Sequence, residues 1–252
     1  MRVRGAVLRP FLTAEWRHLV MANFAVSPAI LEPLVPRGTV LDSFGGTTYA
    51  SVVAFRFLRT ALLGIPVPFH QEFEEINLRF YVRREGPEGP RRGVVFISEV
   101  VPKRAVAFLA RRIYGEPYVT LEVESHVHPP AGDRPGAYAY RWKLASGWAA
   151  LEASVVGPSA IPEAGSIEEL ISDHAWGYNR QPDGSTLEYR VAHPRWRVWH
   201  ACGSHVMGDL AELYGAPLAR ELEAGPRSVF VADGSAVEVF RGNVPVLSSR
   251  FR

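Results

Sequence analysis

The sequence lacks the elements that mark secreted and membrane-spanning proteins. It contains one cysteine, Cys202, so no disulfide can form within the chain. A lone cysteine fits a reducing compartment. No uncharged apolar run is long enough to span a bilayer, and the N-terminus has no signal-peptide core before Arg9 and Pro10. We therefore expect a cytoplasmic protein without a membrane partner.

Several common catalytic motifs are also missing. We find no G-x-G-x-x-G, no Walker A loop, no G-x-S-x-G elbow and no H-E-x-x-H. These absences argue against nucleotide-driven chemistry, common serine hydrolysis and zincin-type proteolysis, and nothing indicates a cofactor. The net charge is +2 with both signs interleaved, so no nucleic-acid partner is expected. The oligomeric state stays open.

What the chain does contain is an ample hydrophobic core and many strand-like segments. Its 252 residues are 47% hydrophobic, and no spacer or internal repeat divides them. We therefore expect one domain over residues 1–252, of a mainly β (α+β) class with a few short helices. Predicted strands cover 11–26, 69–84, 94–101, 118–128, 186–192 and 196–199.

Turn and capping signals predict the remaining elements. Hairpins are predicted at 39–44 with 47–58 around Gly45-Gly46, at 138–144 with 148–155, and at 228–231 with 236–240 around Asp233-Gly234. A further turn is predicted at Pro87–Pro90. Short helices are predicted after Ser27-Pro28, over 103–114 before Gly115, after the cap Ser166, and in two pieces over 206–222.

One predicted strand carries a row of mixed polar side chains. Ile76, Leu78, Phe80 and Val82 share one face, and the other face carries the candidate ligand-binding residues Glu75, Asn77, Arg79 and Tyr81. In an antiparallel sheet such a face is ordinarily solvated. The alternative is a polar cavity wall that recognises a small anionic ligand.

A second candidate site lies at the junction of a strand and a helix. The run 94–101 is apolar on both faces, and Pro102 is followed by Lys103 and Arg104 at the positive end of a predicted helix. Lys103 is one of two lysines beside 26 arginines, so it is rare by type. The pair is either a solvated cover for the strand end or a lysine kept for its chemistry.

Histidine spacing raises the question of a metal site. His126 and His128 fall on one side of a predicted strand and can chelate a metal, yet the local sequence supplies no third ligand. His200, Cys202 and His205 are close together, but they fall mostly in a predicted loop and a fourth ligand is missing. We therefore predict no metal site.

Four stretches together resemble a known family. These are FLTAEWRHLVMANF, LEPLVPRGTVLDSFGGTTYASVVAFRF, GIPVPFHQEFEEINLRFYVRR and RRGVVFISEVVPKRAVAFLARRIYGEPY. They resemble the uncharacterised bacterial YqjF-like proteins, a domain-of-unknown-function family, closely over about residues 10–120 and more loosely through EYRVAHPRW. That family is remotely similar in fold to acetoacetate decarboxylase, which implies an antiparallel β-barrel or cone enclosing a cavity.

The resemblance also implies roles for the junction residues. Glu99-x-x-Pro102-Lys103-Arg104 looks like the decarboxylase pattern in which a Pro-Lys-Lys run supplies the Schiff-base lysine. Lys103 matches the nucleophile, whereas Arg104 departs from the second lysine. The Lys103 amine must be neutral to attack a carbonyl. The apolar strand, Arg104 and the helix dipole all favour the neutral form of the amine. Acetoacetate decarboxylase is itself the standard example of a lysine activated in this way. Glu99 would oppose the neutral form, although an extended strand separates the two Cα atoms by ~13 Å.

Three functional classes follow. A decarboxylase-like or lyase-like enzyme would act on a keto acid through Lys103. A non-catalytic protein would bind a small carboxylate-bearing molecule in the same cavity, and an interaction protein would have no suitable cavity. A pocket beside Lys103 or beside the residues Glu75 to Tyr81 would favour the enzyme or the binding protein. The absence of such a pocket would favour the interaction protein.

Overall fold

The computed structural model describes residues 9–86 and 89–243. The turn predicted at Pro87–Pro90 therefore lies partly outside the described residues. The strands are β1 (Leu12–Ala25), β2 (Val40–Leu41), β3 (Tyr49–Leu62), β4 (Ile65–Pro66), β5 (Phe73–Gly86), β6 (Gly89–Val101), β7 (Tyr118–Thr120), β8 (Val123–His128), β9 (Gly136–Lys143), β10 (Trp148–Val155), β11 (Trp176–Arg180), β12 (Thr186–Ala192), β13 (Val198–His200), β14 (Gly203–Met207) and β15 (Ser228–Val239). The α-helices are α1 (Pro28–Leu31), α2 (Arg104–Tyr114), α3 (Ile167–Ser172), α4 (Ala211–Tyr214) and α5 (Ala216–Glu223).

The strands form two sheets. The larger sheet has eleven strands, and because β5 pairs with both β3 and β6, the strands β5, β3, β1, β15, β12, β11 and β6 close into a ring. The smaller sheet runs in the order β14, β10, β9, β8. The predicted mainly β class with short helices is confirmed. The strand pairs of the large sheet are antiparallel, apart from the parallel pairing of β6 with β7 and with β11.

The hydrophobic core lies between the two sheets. Ile76, Leu78 and Phe80 of β5 are fully buried against the small sheet, where Tyr140 and Trp142 of β9 meet them. Burying a large apolar side chain stabilises a fold by about 1.5–3 kcal/mol, so this layer contributes strongly to stability. It also fixes the direction of β5, because the alternate side chains of the strand must then point into the ring.

Helix α2 follows the predicted pattern. It begins directly after Lys103, and Gly115 ends it with φ 67°, a left-handed cap that glycine adopts without steric penalty. No acidic residue occupies its first turn, while Arg111 and Arg112 lie in its last turn, where the dipole favours cations. Among the described residues, no helix has the length or hydropathy that crossing a bilayer requires.

Two predicted pairings in the first half of the chain are corrected. The Gly45-Gly46 turn exists, closed by a bridge between Phe44 and Thr47, but the strand before it pairs with β5 rather than with β3. The predicted strand 118–128 is two strands, since β7 belongs to the large sheet and β8 to the small one. The chain changes sheets between them, which a continuous two-residue period does not reveal.

Three further differences lie in the second half. The predicted C-terminal hairpin is wrong, because β15 runs unbroken beside β1 and Gly234 (φ 86°) stands opposite Arg17 within the strand pair. A Cβ at Gly234 would collide with the carbonyl oxygen of Trp16, so the glycine serves close strand packing instead of a turn. Within the predicted helical stretch 206–222, residues up to Met207 are strand β14. Strand β11 was not predicted.

Candidate functional site

A cavity of about 320 Å³ opens inside the ring. Its walls come from all seven strands of the ring, from β7 and from one side of helix α2. Most of its lining is aromatic or aliphatic, with Trp16, Phe55, Phe57, Phe73, Phe96, Trp176 and Trp196 as the large rings. Its polar lining includes Glu75, Asn77, Arg79, Glu99, Glu116, Tyr118, His174 and Tyr189.

Three of the four residues predicted for ligand binding line this cavity. Glu75, Asn77 and Arg79 alternate along β5 on the face opposite the hydrophobic core, and their exposed fractions are 3%, 2% and 9%. The alternative of a solvated outer face is therefore wrong for these positions. It holds for Arg83, which is exposed where β5 extends past the core.

Tyr81 shares the face but does not line the cavity. Its hydroxyl lies 2.6 Å from Ser51 Oγ, and its ring stacks on His174 with the centroids 4.9 Å apart. Arg79 lies over the same ring, with its guanidinium carbon 5.8 Å from the centroid. Tyr81 therefore packs against Arg79 and His174 on the side of these residues that faces away from the cavity.

The strand register places a row of polar groups across the cavity. Asn77 stands directly opposite Glu99 of β6, and Glu99 pairs in turn with Tyr118 of β7. Asn77 Nδ2 donates to Glu75 Oε1 at 3.1 Å, and the Tyr118 hydroxyl donates to Glu75 Oε2 at 3.0 Å. Both Glu75 oxygens therefore accept a hydrogen bond in this conformation.

Three buried carboxyl groups meet at this end of the cavity. Burial raises the pKa of Glu75 to about 7, and burial together with Glu75 raises the pKa of Glu116 to about 8. Burial and the neighbouring Glu116 and Glu75 raise the pKa of Glu99 well above its ordinary value. The Tyr189 hydroxyl donates to Glu116 Oε1, which stabilises the charged form in part. At neutral pH Glu99 and Glu116 are therefore largely uncharged, whereas Glu75 is about half ionised.

The opposite end is basic. Arg79 Nη2 donates to the carbonyl oxygen of Ile171 at 2.9 Å. Burial, followed by the nearby guanidinium of Arg79, lowers the pKa of His174 well below its usual range, so this imidazole is neutral. Of the described residues that line the cavity, Arg79 is the one arginine or lysine.

Several buried polar atoms of the lining have no hydrogen-bond partner within the described part of the protein. They are Trp16 Nε1, Thr60 Oγ1, Asn77 Oδ1, Arg79 Nε, Glu99 Oε2, Tyr114 Oη and both ring nitrogens of His174. A buried polar group without a partner costs about 1–3 kcal/mol, so such groups are rare unless they serve a function. Here they are concentrated in one cavity and offer both donors and acceptors.

The predicted catalytic residues are only partly brought together. Glu99 lines the cavity and is 1% exposed. Lys103 is half-buried at the start of helix α2, and Arg104 is exposed; neither is among the residues that line the cavity. Helix α2 instead presents Ala105, Val106, Leu109, Ala110 and Ile113 to it.

The histidine pairs lie elsewhere. His126 and His128 are exposed on β8, in a shallow depression of the small sheet that Glu152 and His205 also line. Within residues 9–86 and 89–243, no group of three or more His, Cys, Asp or Glu side chains is arranged to hold a metal ion. Cys202 is exposed.

Sequence reasoning missed four of these polar residues of the lining, Glu116, Tyr118, His174 and Tyr189. Glu116 lies between Gly115 and Pro117, which the sequence marks only as a helix end. His174 follows α3, and Tyr189 lies on a strand whose partners are distant in the chain. No local pattern identifies them, because closure of the ring alone brings them to the cavity.

Comparison with known proteins gives one family and one fold. The sequence model of DUF2071, described as an uncharacterized conserved protein, matches residues 13–236. The uncharacterized protein YqjF of Bacillus subtilis (strain 168) is 29% identical over 119 residues, which are 47% of this chain and 48% of YqjF. The matched region thus spans about half the length of this curated relative.

Solved structures share the architecture at low identity. Acetoacetate decarboxylase from Legionella pneumophila has a TM-score of 0.65 at 14% identity, over 94% of this chain and 87% of that chain. The enduracididine biosynthesis enzyme MppR complexed with pyruvate has 0.63 at 16% identity, over 96% and 93%. An acetoacetate decarboxylase-like enzyme from Sphingomonas wittichii RW1 has 0.63 at 14% identity, over 98% of each chain. The fold is acetoacetate decarboxylase-like.

Proposed function

Since the chain belongs to the DUF2071 family of uncharacterized conserved proteins, whose description names no activity, we propose a function from its cavity. The protein binds a small carboxylate-bearing molecule there without forming a covalent bond. The observation that carries this proposal is Arg79, a buried guanidinium whose Nε lacks a partner among the described residues and which lines the cavity.

A guanidinium in this position favours an anion. Its Nη2 is held by the carbonyl of Ile171, so the orientation of the group is fixed before a ligand arrives. Its free N–H group can donate to a carboxylate oxygen in an environment where water does not screen the charge. Because His174 beside it is neutral, Arg79 supplies the positive charge at this end.

The remainder of the cavity supports a small, largely apolar ligand body. A volume of about 320 Å³ lies at the lower end of the range for small-molecule sites. The structural neighbour MppR is described as complexed with pyruvate, a carboxylate of the same class. Because a cavity exists beside Glu75, Asn77 and Arg79, an interaction protein without a ligand pocket loses its physical support.

The test is binding of a panel of short carboxylates, pyruvate among them, against their methyl esters. We expect the acids to bind and the esters to bind at least about tenfold more weakly, since a charge-assisted hydrogen bond contributes about 1.5–3 kcal/mol. Arg79→Met should abolish this preference. Arg83→Met, on the exposed part of the same strand, is the matched control and should leave it unchanged.

The proposal is overturned if Arg79→Met, shown by circular dichroism and melting to be folded, binds the acids as tightly as the original protein. It is also overturned if esters and acids bind equally, because the guanidinium would then contribute nothing to recognition.

A second candidate, favoured by the fold shared with acetoacetate decarboxylases, is a lyase that acts on a keto acid through Lys103. The Lys103 amine would attack the carbonyl carbon and expel water to form a Schiff base. Because Lys103 is not among the residues that line the cavity, we expect no adduct when the protein is incubated with keto acids and borohydride. An adduct in the intact mass that Lys103→Ala removes would replace the first proposal with this one.

A further inference from the structure

The acidic end of the cavity is built from three separate segments. Glu75 comes from β5, Glu99 from β6 and Glu116 from the residues that follow α2. Tyr118 donates to Glu75 and Tyr189 donates to Glu116, so both phenols are held as part of the cluster. Three carboxyl groups from distant parts of the chain therefore share one buried wall.

None of these carboxyl groups has a cationic partner at contact distance within the described residues, where the ion pairs involve other carboxylates. Elsewhere the chain pairs a half-buried carboxylate with arginine, as Arg84 and Arg91 do with Glu188 at 2.7 Å each. Repelling carboxyls are costly to keep in a cavity unless they are protonated or meet a positive ligand.

A second, independent observation points to a ligand at the same place. Asn77 is 2% exposed, and its Oδ1, an acceptor, has no partner in the described part of the chain. Asn77 stands directly opposite Glu99, whose Oε2 is likewise buried and unpartnered. Asn77 Oδ1 is an acceptor in any state and Glu99 Oε2 becomes one when the carboxyl ionises, so the two atoms on facing strands favour a ligand group that donates hydrogen bonds.

Aromatic rings complete the wall. Phe55 of β3 stands opposite Glu75 in the strand register, and its ring lies 5.3 Å from that of Trp16. Phe73 lies on the same face of β5, one alternation before Glu75. Carboxyl groups beside aromatic faces are the combination that recognises protonated amines and guanidines.

We propose that the ligand carries, besides its carboxylate on Arg79, a basic nitrogen that binds among Glu75, Glu99, Glu116 and Asn77. This inference rests on the proposed function and narrows the ligand to an amino acid-like or guanidino acid-like molecule. Four residues of extended strand place the Cα atoms of Glu75 and Arg79 about 13 Å apart, so several bonds separate the two charged groups of the ligand.

Proton release is the signature of this arrangement. The raised pKa values mean that Glu99 and Glu116 hold protons at pH 7 in the empty cavity. The titratable groups that face them are the cationic Arg79 of β5 and the phenols Tyr118 and Tyr189, which stay neutral because burial raises their pKa values. A protonated amine favours the ionised carboxylate, so its binding should release about one proton to the buffer.

The experiment compares 6-aminohexanoate with heptanoate, in which a methyl group replaces the ammonium. Titration calorimetry at pH 7 in buffers of different ionisation enthalpy measures affinity and proton release together. We expect the amino acid to bind about tenfold more tightly and to release protons, and heptanoate to release none. Glu99→Gln should remove the preference and the release, whereas Glu238→Gln, an exposed control, should change neither.

The outcomes distinguish failure of this inference from failure of the proposed function. Equal affinity for both ligands, lost in Arg79→Met, overturns the basic nitrogen and leaves carboxylate binding standing. No binding of either ligand or of the acid panel overturns both. If Glu99→Gln does not fold, Glu116→Gln replaces it, and an unchanged preference in that folded variant also counts against the inference.

Discussion

The two faces of strand β5 are both buried, yet they have opposite chemistry. One face carries Ile76, Leu78 and Phe80, fully buried between the sheets. The other carries Glu75 and Arg79 with Asn77, buried against the cavity. Burial of a strand face therefore does not by itself predict whether its side chains are apolar or polar. The apolar face stabilises the fold, and the polar face holds groups whose burial is unfavourable for stability.

The difference between the faces has an energetic meaning. Apolar burial is favourable wherever it occurs, whereas a buried carboxyl or amide requires a partner to offset its desolvation. Glu75 receives two hydrogen bonds, but Asn77 and Arg79 each keep an unpartnered atom. Proteins retain such groups where function requires them.

Removing Phe80 should have the largest effect on stability. Phe80→Ala truncates a fully buried ring, so we expect the free energy of unfolding to fall by about 3–5 kcal/mol in urea denaturation. Phe69→Ala is the control, since that ring is 91% exposed and its removal should change stability by less than about 0.5 kcal/mol. A loss below about 1 kcal/mol at Phe80 would contradict the assignment of the core to this face.

Replacing Glu116 with a neutral side chain should have a smaller effect than Phe80→Ala. It should raise the free energy of unfolding, and the gain should depend on pH. The folded-state pKa of Glu116 is about 8 against an ordinary 4.5, so its contribution to stability is fully present below pH 4.5 and is lost as the pH rises through 8. Glu116→Gln cannot ionise and keeps a carbonyl for the Tyr189 hydroxyl. We expect the variant to be more stable by about 2–4 kcal/mol at pH 8.5.

The pH series contains its own control, because at pH 4.5 the two proteins should differ little. Chemical denaturation at both pH values measures the difference. Equal stability at pH 8.5 would show that the Glu116 carboxyl is not held in its neutral form.

The smallest expected effect comes from removing single tyrosine hydroxyls. It distinguishes Tyr81, which packs against residues of the cavity wall, from Tyr118, which lines the cavity. Tyr81→Phe removes the hydroxyl that lies 2.6 Å from Ser51 Oγ, which should lower stability by about 1 kcal/mol and leave ligand affinity unchanged. Tyr118→Phe also removes one hydroxyl, but this group lines the cavity and donates to Glu75, so ligand affinity should change. Changed affinity in Tyr81→Phe would place Tyr81 at the ligand.

Local patterns predicted much of the scaffold. The strand β1, the helix α2 with its glycine cap, the β9–β10 hairpin and the helix that begins after Ser166 all follow from periodicity and capping. These features depend on residues within a few positions of one another, and so the sequence contains the information directly.

Errors arose where a local signal has two tertiary outcomes. Asp233-Gly234 is typical of a hairpin turn, but the left-handed conformation of Gly234 is used inside a strand because β1 offers partners on both sides of it. The catalytic role of Lys103 stays a prediction, and what the sequence around it does not show is that the apolar side of α2 lines the cavity. Neither choice is visible in the neighbouring residues.

The sequence by itself determined that Glu75, Asn77, Arg79 and Tyr81 share one face of a strand, because the two-residue period is a property of the backbone. Only the tertiary structure decided that this face points into the ring. It also decided that Glu99, Glu116 and His174 line the same cavity. The reason is physical: which face of a strand meets solvent depends on ring closure and on the second sheet, and both are formed by contacts between residues far apart in the chain.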